Sequence, residues 1–280
     1  MTMLGLAILV ALGWVTVTTL WLWHNQERVV FQPPSVVVEA PGSAERVTYV
    51  ASDGHPLFGF VLAGAATPPE SATVVIAFHG NADLAAWTVP WAREVAGRTG
   101  ATVLVPEYRG YAGIPGKPTY AGAAADAQGA LAFARARWPG AELVLFGHSL
   151  GSAVATELAD TMEPAPVALV LQSPFTSARD MAARMLVPPI PWLWNRISRV
   201  HYETRARVAR IDAPVHVAHG SRDLNIPMRM GVQVFRSALR PGQLLLVQGA
   251  GHNDVAEAGG ERYWAWLRAA IQPATVSADR

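Results

Sequence analysis

Short apolar runs alternate with longer, alanine-rich segments along most of this chain. The apolar runs contain many β-branched residues and predict strands, whereas the longer segments between them predict helices. Strands that alternate with helices indicate parallel β–α–β crossovers. The expected fold class is therefore α/β, with an about eight-stranded, mostly parallel sheet flanked by helices. The predicted strands are 47–51, 57–62, 73–78, 102–106, 142–146, 167–172, 214–219 and 243–247. The predicted helices are 85–98, 120–138, 152–158, 228–239 and 262–271.

The amino-terminal segment differs from the rest, because Met1–Trp23 contains no Asp, Glu, Lys or Arg. As a helix this segment would span about 34 Å, enough for a bilayer core of about 30 Å. A cleavable signal peptide is the alternative, but it typically has a basic start and a small-residue cleavage site, whereas this run ends in Trp21-Leu22-Trp23-His24. We expect residues 1–24 to form an uncleaved, single-pass membrane anchor, followed by a linker over 25–46.

The side of the membrane is marked only by Arg28 and Arg46, which follow the apolar segment. Positive charges near a transmembrane helix favour the cytoplasmic side, so a cytoplasmic domain is the expectation, and a periplasmic or extracellular one stays open. The chain has no cysteine, which is compatible with both compartments.

A serine stands at the centre of Gly147-His148-Ser149-Leu150-Gly151, directly after one predicted strand and before a predicted helix. A G-x-S-x-G motif between a strand and a helix is typical of a nucleophile elbow, although in a flexible loop it would be a plain turn. The flanking pattern favours the elbow, so Ser149 is the expected nucleophile.

A serine nucleophile needs a base and an orienting carboxylate. Asp223 follows the strand at 214–219, and His252 follows the strand at 243–247, so both are expected at the carboxyl edge of the sheet. We predict Asp223 as the acid and His252 as the base. The alternatives are weaker: Asp212 precedes its strand, Asp254 is placed to cap the next helix, His219 precedes the acid, and His148 adjoins the serine.

An oxyanion hole requires backbone N–H groups that point at the developing negative charge. Leu150 follows the nucleophile and is expected to donate one N–H group. The strand at 73–78 ends in His79-Gly80-Asn81-Ala82, and we predict the Asn81 N–H as the second donor, with Ala82 as the alternative.

Together these motifs resemble the α/β-hydrolase superfamily, and more narrowly its membrane-anchored members with an HGN oxyanion turn, described as serine aminopeptidase-like or prolyl-oligopeptidase-like hydrolases. The resemblance implies a Ser149–Asp223–His252 triad, oxyanion donors at Asn81 and Leu150, and hydrolysis of esters, thioesters or amides. This chain departs from the resemblance at one point. Eukaryotic relatives that remove fatty acyl chains from proteins carry an amino-terminal cysteine cluster, whereas this chain has no cysteine. The motifs that carry the resemblance are 78–82, 108–111, 147–151, 219–223 and 249–254.

Composition fits one enzyme domain over 47–272 and a flexible tail over 273–280. The net charge of +1 provides no basic field for nucleic acid, and no P-loop or dinucleotide fingerprint occurs in the sequence. We expect no cofactor and no metal.

The segment 173–210 lies between two predicted strands and is expected to form a cap over the nucleophile. Its apolar side chains, including Met181, Met185 and Trp192, predict a lid that binds acyl chains, unless they only pack against the domain. Tyr108 follows a strand end and is a further candidate for the substrate pocket, or a brace beneath the oxyanion turn.

The expected activity is hydrolysis of carboxylic esters or thioesters, including long acyl chains, through an acyl-enzyme. The expected partner is a small-molecule or lipid-like acyl substrate. A peptidase or amidase with the same triad is the first alternative, and esters are favoured because an amide needs better protonation of its leaving group. A catalytically silent, membrane-tethered binding protein is the second.

Overall fold

A computed structural model describes residues 2–36, 41–42, 44–64, 73–186, 188 and 190–272. The expected flexible tail at 273–280 lies outside these residues. The strands are β1 (Glu45–Val50), β2 (Pro56–Leu62), β3 (Thr73–Phe78), β4 (Thr102–Pro106), β5 (Glu142–His148), β6 (Ala168–Gln172), β7 (Pro214–Gly220) and β8 (Arg240–Val247). The helices are α1 (Met3–Val30), α2 (Ala85–Thr99), α3 (Tyr120–Arg137), α4 (Leu150–Thr161), α5 (Ala178–Met185), α6 (Ile190–Ile197), α7 (Thr204–Val208), α8 (Met228–Ser237) and α9 (Val255–Ile271).

The strands form one eight-stranded sheet in the order β1-β2-β4-β3-β5-β6-β7-β8. β2 pairs antiparallel with β1 and with β4, and every other neighbouring pair is parallel. Every residue of β6 is buried, as expected for a strand covered on both faces by crossover helices. The predicted α/β class and mostly parallel sheet are confirmed.

The parallel pairing sets where the functional loops lie. β3, β5, β7 and β8 all run in the same direction, so the turns that follow them meet at one edge of the sheet. In open α/β sheets this carboxyl edge is where ligands bind.

Three short helices, α5, α6 and α7, fill the segment between β6 and β7 where a cap is expected. The cap is tied to the domain by an ion-pair cluster in which Arg207 contacts Glu157 at 2.8 Å and Asp160 at 2.6 Å. Those carboxylates lie on α4, the helix that follows Ser149. One side of the cap is therefore held to α4 by charge, while mostly apolar side chains of α5 and α6 face the cavity beside Ser149.

The amino-terminal helix α1 has 28 residues. It contains an 18-residue stretch with a mean hydropathy of 2.1, in which no residue is buried. It is long and apolar enough to cross a membrane. The helix continues to Val30, so the segment expected as a linker begins as helix. Near this end Leu22, Gln26 and Phe31 are buried, which shows that the end of α1 packs against the domain.

Candidate active site

Ser149 occupies a sharp turn between β5 and α4, with φ of 53° and ψ of −117°. A side-chain-bearing residue rarely adopts this conformation, and such strain concentrates at functional sites. The flanking glycines make the turn possible: a Cβ on Gly147 would lie 2.2 Å from the Gly151 carbonyl oxygen, and one on Gly151 would lie 2.1 Å from the Phe78 carbonyl oxygen. The backbone geometry is that of a nucleophile elbow.

The structure brings the predicted acid, base and nucleophile together. His252 Nε2 lies 2.9 Å from Ser149 Oγ, and His252 Nδ1 lies 2.7 Å from Asp223 Oδ2. This is a continuous hydrogen-bonded chain from carboxylate to imidazole to hydroxyl. Asp223 is buried, whereas the imidazole and hydroxyl face a cavity.

The Asp223 carboxylate accepts additional hydrogen bonds beyond the one from His252. The N–H groups of Asn225 and Ile226 donate to Oδ1 at 2.9 and 2.8 Å, and His219 Nε2 lies 3.2 Å from Oδ2. Burial raises the pKa of Asp223, but the bonds from His219, His252 and Ile226 together outweigh burial and hold that pKa well below its usual range. The carboxylate is therefore charged at neutral pH.

His219 is a contact that the sequence pattern did not predict. Its Nε2 also lies 2.8 Å from the Ile226 carbonyl oxygen, which can only accept, so Nε2 carries the proton and donates to both oxygens. The signal was present, because His219 stands at the end of the same strand that delivers Asp223. It orients the acid from within the sheet.

The loop carrying His252 is fixed by its backbone carbonyl. His148 Nε2 donates to the His252 carbonyl oxygen at 3.2 Å, and Ser173 Oγ donates to the same oxygen at 3.4 Å. Burial, together with the charge of His252, lowers the pKa of His148 to about 4, so this ring is neutral at pH 7. Asp254 precedes α9 as expected, but its side chain accepts from the Gly251 N–H at 2.6 Å instead of capping the helix.

The turn after β3 passes directly beside Ser149. A Cβ on Gly80 would lie 3.4 Å from Ser149 Cβ. Among the residues described, the N–H groups of Asn81 and Leu150 have no hydrogen-bond acceptor. Ala82 adopts φ of 51°, a left-handed conformation unusual for alanine.

A buried ion pair supports this turn from below. His79 Nε2 lies 2.8 Å from Glu107 Oε1, and Glu107 Oε2 accepts from the Ala85 N–H at 2.9 Å. Burial lowers the pKa of His79, but the adjacent Glu107 outweighs it and raises that pKa overall. His79 is thus a structural residue of the turn.

A cavity of about 1180 Å³ opens above Ser149. Met181 and Met185 line it, where the sequence pattern predicts them. Tyr108 and Trp192 are absent from its described wall. This agrees with the alternative expectation for Tyr108, a brace beneath the oxyanion turn, and corrects the predicted place of Trp192 in the pocket. Tyr108 is buried beneath the turn, where its hydroxyl donates to the His79 carbonyl oxygen at 3.2 Å, and Trp192 is 58% exposed.

The cavity has one wall that the sequence pattern did not predict. Val29, Val30 and Gln32, at the carboxyl end of α1, line it together with Ser149. Their approach to the site depends on contacts between residues far apart in the chain, and no local pattern signals them. Within the described ranges, no group of three or more His, Asp or Glu side chains is placed to hold a metal ion.

A sheet with this strand order, a serine on a strand-to-helix turn, and an acid and a histidine after later strands define the α/β-hydrolase class. Residues 69–203 match the family described as Serine aminopeptidase, S33. Uncharacterized protein MT2364 of Mycobacterium tuberculosis is 34% identical over 89% of this chain and 87% of its own length. The Alpha/beta hydrolase domain-containing protein WAV2 of Arabidopsis thaliana is 28% identical over 85% of each chain.

Among solved structures, the Pyrococcus furiosus esterase Pf2001 has the same fold. It superimposes with a TM-score of 0.66 at 18% identity, over 86% of this chain and 98% of the esterase chain. The chain belongs to the α/β-hydrolase superfamily.

Proposed function

We propose that this protein is a serine hydrolase that cleaves carboxylic esters or thioesters through an acyl-enzyme. The observation that carries the proposal is the hydrogen-bonded chain Asp223–His252–Ser149, with distances of 2.7 and 2.9 Å, at the base of a large cavity. A hydroxyl within reach of an imidazole that a buried carboxylate orients is the arrangement that activates serine.

The reaction proceeds in two steps. Ser149 Oγ attacks the carbonyl carbon while His252 Nε2 takes the hydroxyl proton, and the charged Asp223 stabilises the resulting imidazolium. The substrate oxygen becomes negative and accepts hydrogen bonds from the Asn81 and Leu150 N–H groups. The tetrahedral species then breaks its bond to the leaving oxygen or sulfur, which takes the proton from His252, and the acyl group stays on Ser149. Water, deprotonated by His252, attacks the acyl-enzyme. The second tetrahedral species breaks its bond to Ser149 Oγ, which takes the proton back from His252, and the carboxylic acid leaves.

The acyl side of the substrate is matched by the cavity wall. Phe175, Met181, Met185, Leu186 and Trp194 line the cavity from the cap side and present apolar surface. Burying the alkyl groups of a substrate against such a wall favours binding by about 0.8 kcal/mol for each CH₂ that is removed from water. We propose an acyl substrate with a chain of several carbons or more.

We also propose that α1 is an uncleaved membrane anchor. Its residues up to Trp21 are largely exposed and would span about 28 Å as a helix, close to the thickness of a bilayer core. The end of α1 lines the active-site cavity, which supports retention of the helix in the working enzyme. The basic residues that follow the apolar segment favour a cytoplasmic catalytic domain.

An amide substrate is the second candidate, favoured by the match to a serine aminopeptidase family. The same triad would act, but a peptidase must protonate a far more basic leaving group. Comparing p-nitrophenyl esters with p-nitroanilides of the same acyl group separates the two, because only a peptidase cleaves both efficiently.

The decisive experiment is labelling with a fluorophosphonate, which reacts with activated serines. The full-length protein in detergent micelles is expected to be labelled and to hydrolyse p-nitrophenyl esters, and Ser149→Ala is expected to lose both activities. Ser152→Ala is a matched control, since Ser152 lies three residues further along, in the first turn of α4, and its hydroxyl donates to the Ser149 carbonyl oxygen. Labelling that persists in Ser149→Ala would refute the assignment, and an unlabelled, inactive wild type would favour a silent binding protein.

A further inference from the structure

The side chain of Asn81 binds the end of the amino-terminal helix. Its Nδ2 donates to the Val30 carbonyl oxygen at 2.6 Å, while its Oδ1 accepts from the Gln32 N–H at 2.9 Å and from the Tyr111 hydroxyl at 2.9 Å. These three bonds fix which end of the amide is nitrogen, because a flipped amide would place donor against donor. We call this arrangement the Asn81 clamp.

The clamp satisfies groups that would otherwise lack partners. Val30 is the last residue of α1, and the last carbonyl groups of a helix receive no hydrogen bond from N–H groups of the same helix. Burial raises the pKa of Tyr111, so its hydroxyl stays protonated and remains a donor. The amide of Asn81 therefore serves as a helix cap supplied from the active-site turn.

The end of α1 is independently docked on the domain and cap. Arg199 donates from its backbone N–H to the Gln26 side chain and from its guanidinium to the Trp23 carbonyl oxygen at 3.1 Å. Glu27 accepts from the Tyr120 N–H at 3.3 Å. The helix changes from exposed to packed near Leu22, so the segment that reaches Asn81 is held in place along its length.

The turn that carries Asn81 needs such support. Ala82 adopts a strained left-handed conformation, and strain of this kind persists only where the surroundings enforce it. The Asn81 N–H belongs to the same turn, so its direction depends on the same restraint. A clamp on the side chain therefore also fixes the backbone donor.

We propose that the carboxyl end of α1 is a working part of the active site: residues Val30–Gln32, through the Asn81 clamp, position the oxyanion turn and close one wall of the cavity. Asn81 and Tyr111 are positioning residues through their side chains. A simple tether would need no contact with the site. The inference rests on the proposed function, since it assigns a role to the oxyanion turn of that hydrolase.

The test uses the full-length protein in detergent micelles and a short, water-soluble substrate, p-nitrophenyl butyrate, so that membrane delivery plays no part. Losing one oxyanion donor typically lowers kcat by about 10²–10³, and a donor that is only loosened should lose less, so we expect Asn81→Ala to reduce kcat about 10- to 100-fold with KM within about twofold. Tyr111→Phe and Gln32→Pro remove single bonds of the clamp, and we expect losses of about 3- to 10-fold. Arg28→Ala is the matched control, because Arg28 lies in the same last part of α1 but its side chain is exposed and takes no part in the clamp.

A trifluoromethyl ketone inhibitor provides the readout that distinguishes positioning from general stability. Ser149 Oγ adds to its carbonyl carbon and leaves an oxyanion that needs the same donors. Its affinity should fall by the same factor as kcat/KM in the clamp variants and stay unchanged in Arg28→Ala. If Asn81→Ala does not fold, the same two measurements on Tyr111→Phe and Gln32→Pro test the inference.

Two results would overturn the inference while the proposed function stands. One is a labelled, active wild type with clamp variants within twofold of it in both kcat and inhibitor affinity. The other is a rise in KM with unchanged inhibitor affinity, which would make the segment a passive wall. A wild type that is neither labelled nor active would instead overturn the proposed function.

Discussion

The loops at the carboxyl edge of the sheet and the cap above them share one cavity but are built from different interactions. Around Asp223 and His252 nearly every polar atom is hydrogen-bonded, and the partners are backbone groups or buried side chains. On the cap side, α5 and α6 meet the cavity with Met181, Met185 and Trp194, which offer apolar contact without directional bonds.

This difference predicts that the loops determine the rate of the reaction and that the cap determines which substrate is preferred. Hydrogen bonds fix atoms to within a fraction of an ångström, which proton transfer requires. Methionine side chains are flexible and fill irregular space, which suits a site that receives chains of variable shape. Changes in the loops should therefore reduce turnover of every substrate, whereas changes in the cap should alter which substrate is preferred.

The largest expected effect is that of Asp223→Asn. The amide has nearly the shape of the carboxylate but cannot stabilise the imidazolium, and it favours the wrong tautomer of His252. We expect kcat to fall by about 10⁴ for all chain lengths with little change in KM, as when a triad aspartate is replaced in other enzymes. Steady-state kinetics with p-nitrophenyl acetate and octanoate measures this. A loss confined to one chain length would show that Asp223 does not belong to the chemical machinery.

A smaller loss is expected when the buried donor to Asp223 is removed. His219→Phe deletes the Nε2 proton that reaches the carboxylate, and a lost bond to a charged group corresponds to about 1.5–3 kcal/mol, or roughly 10- to 100-fold in kcat. His219→Gln can return an N–H donor near the same place and should recover part of the rate. Equal rates for the two variants would indicate that packing alone matters at this position.

The smallest effect should come from the cap. Met181→Ala removes apolar wall but no group that takes part in proton transfer, so kcat/KM for the acetyl ester should stay within about twofold. For the octanoyl ester we expect a decrease of about 5- to 30-fold, from about 1–2 kcal/mol of lost apolar contact. Trp192→Ala, on the exposed face of α6, is the control and should change neither. Equal losses for both esters would contradict the prediction that the cap affects only which substrate is preferred.

The same contrast explains what the sequence could predict. Ser149, Asp223 and His252 each follow a strongly apolar strand, and parallel pairing brings such strand ends together, so local pattern and topology suffice to place them. In the cap, Trp192 and Trp194 stand two positions apart on a helix and point roughly 200° apart. Composition cannot show which one faces the cavity, and the structure selects Trp194.

The end of α1 was beyond prediction for another reason. Gln26, Glu27 and Arg28 give the segment after the apolar run the composition of a solvated linker. Gln26 accepts a hydrogen bond from Arg199, and Glu27 accepts one from Tyr120. The clamp joins Val30 to Asn81, so each of these contacts spans a long stretch of chain. Only the tertiary structure reveals that this polar segment is packed.

The position of α1 also bears on how the enzyme matures. During synthesis the amino-terminal helix leaves the ribosome before Asn81, Tyr111 and Arg199 exist, and domains fold in that order as the chain emerges. If α1 is the membrane anchor proposed above, it lies in the lipid before the later loops pack on its end. In that case the cavity of the newly made protein is completed beside the membrane, where the end of α1 and the later loops come together.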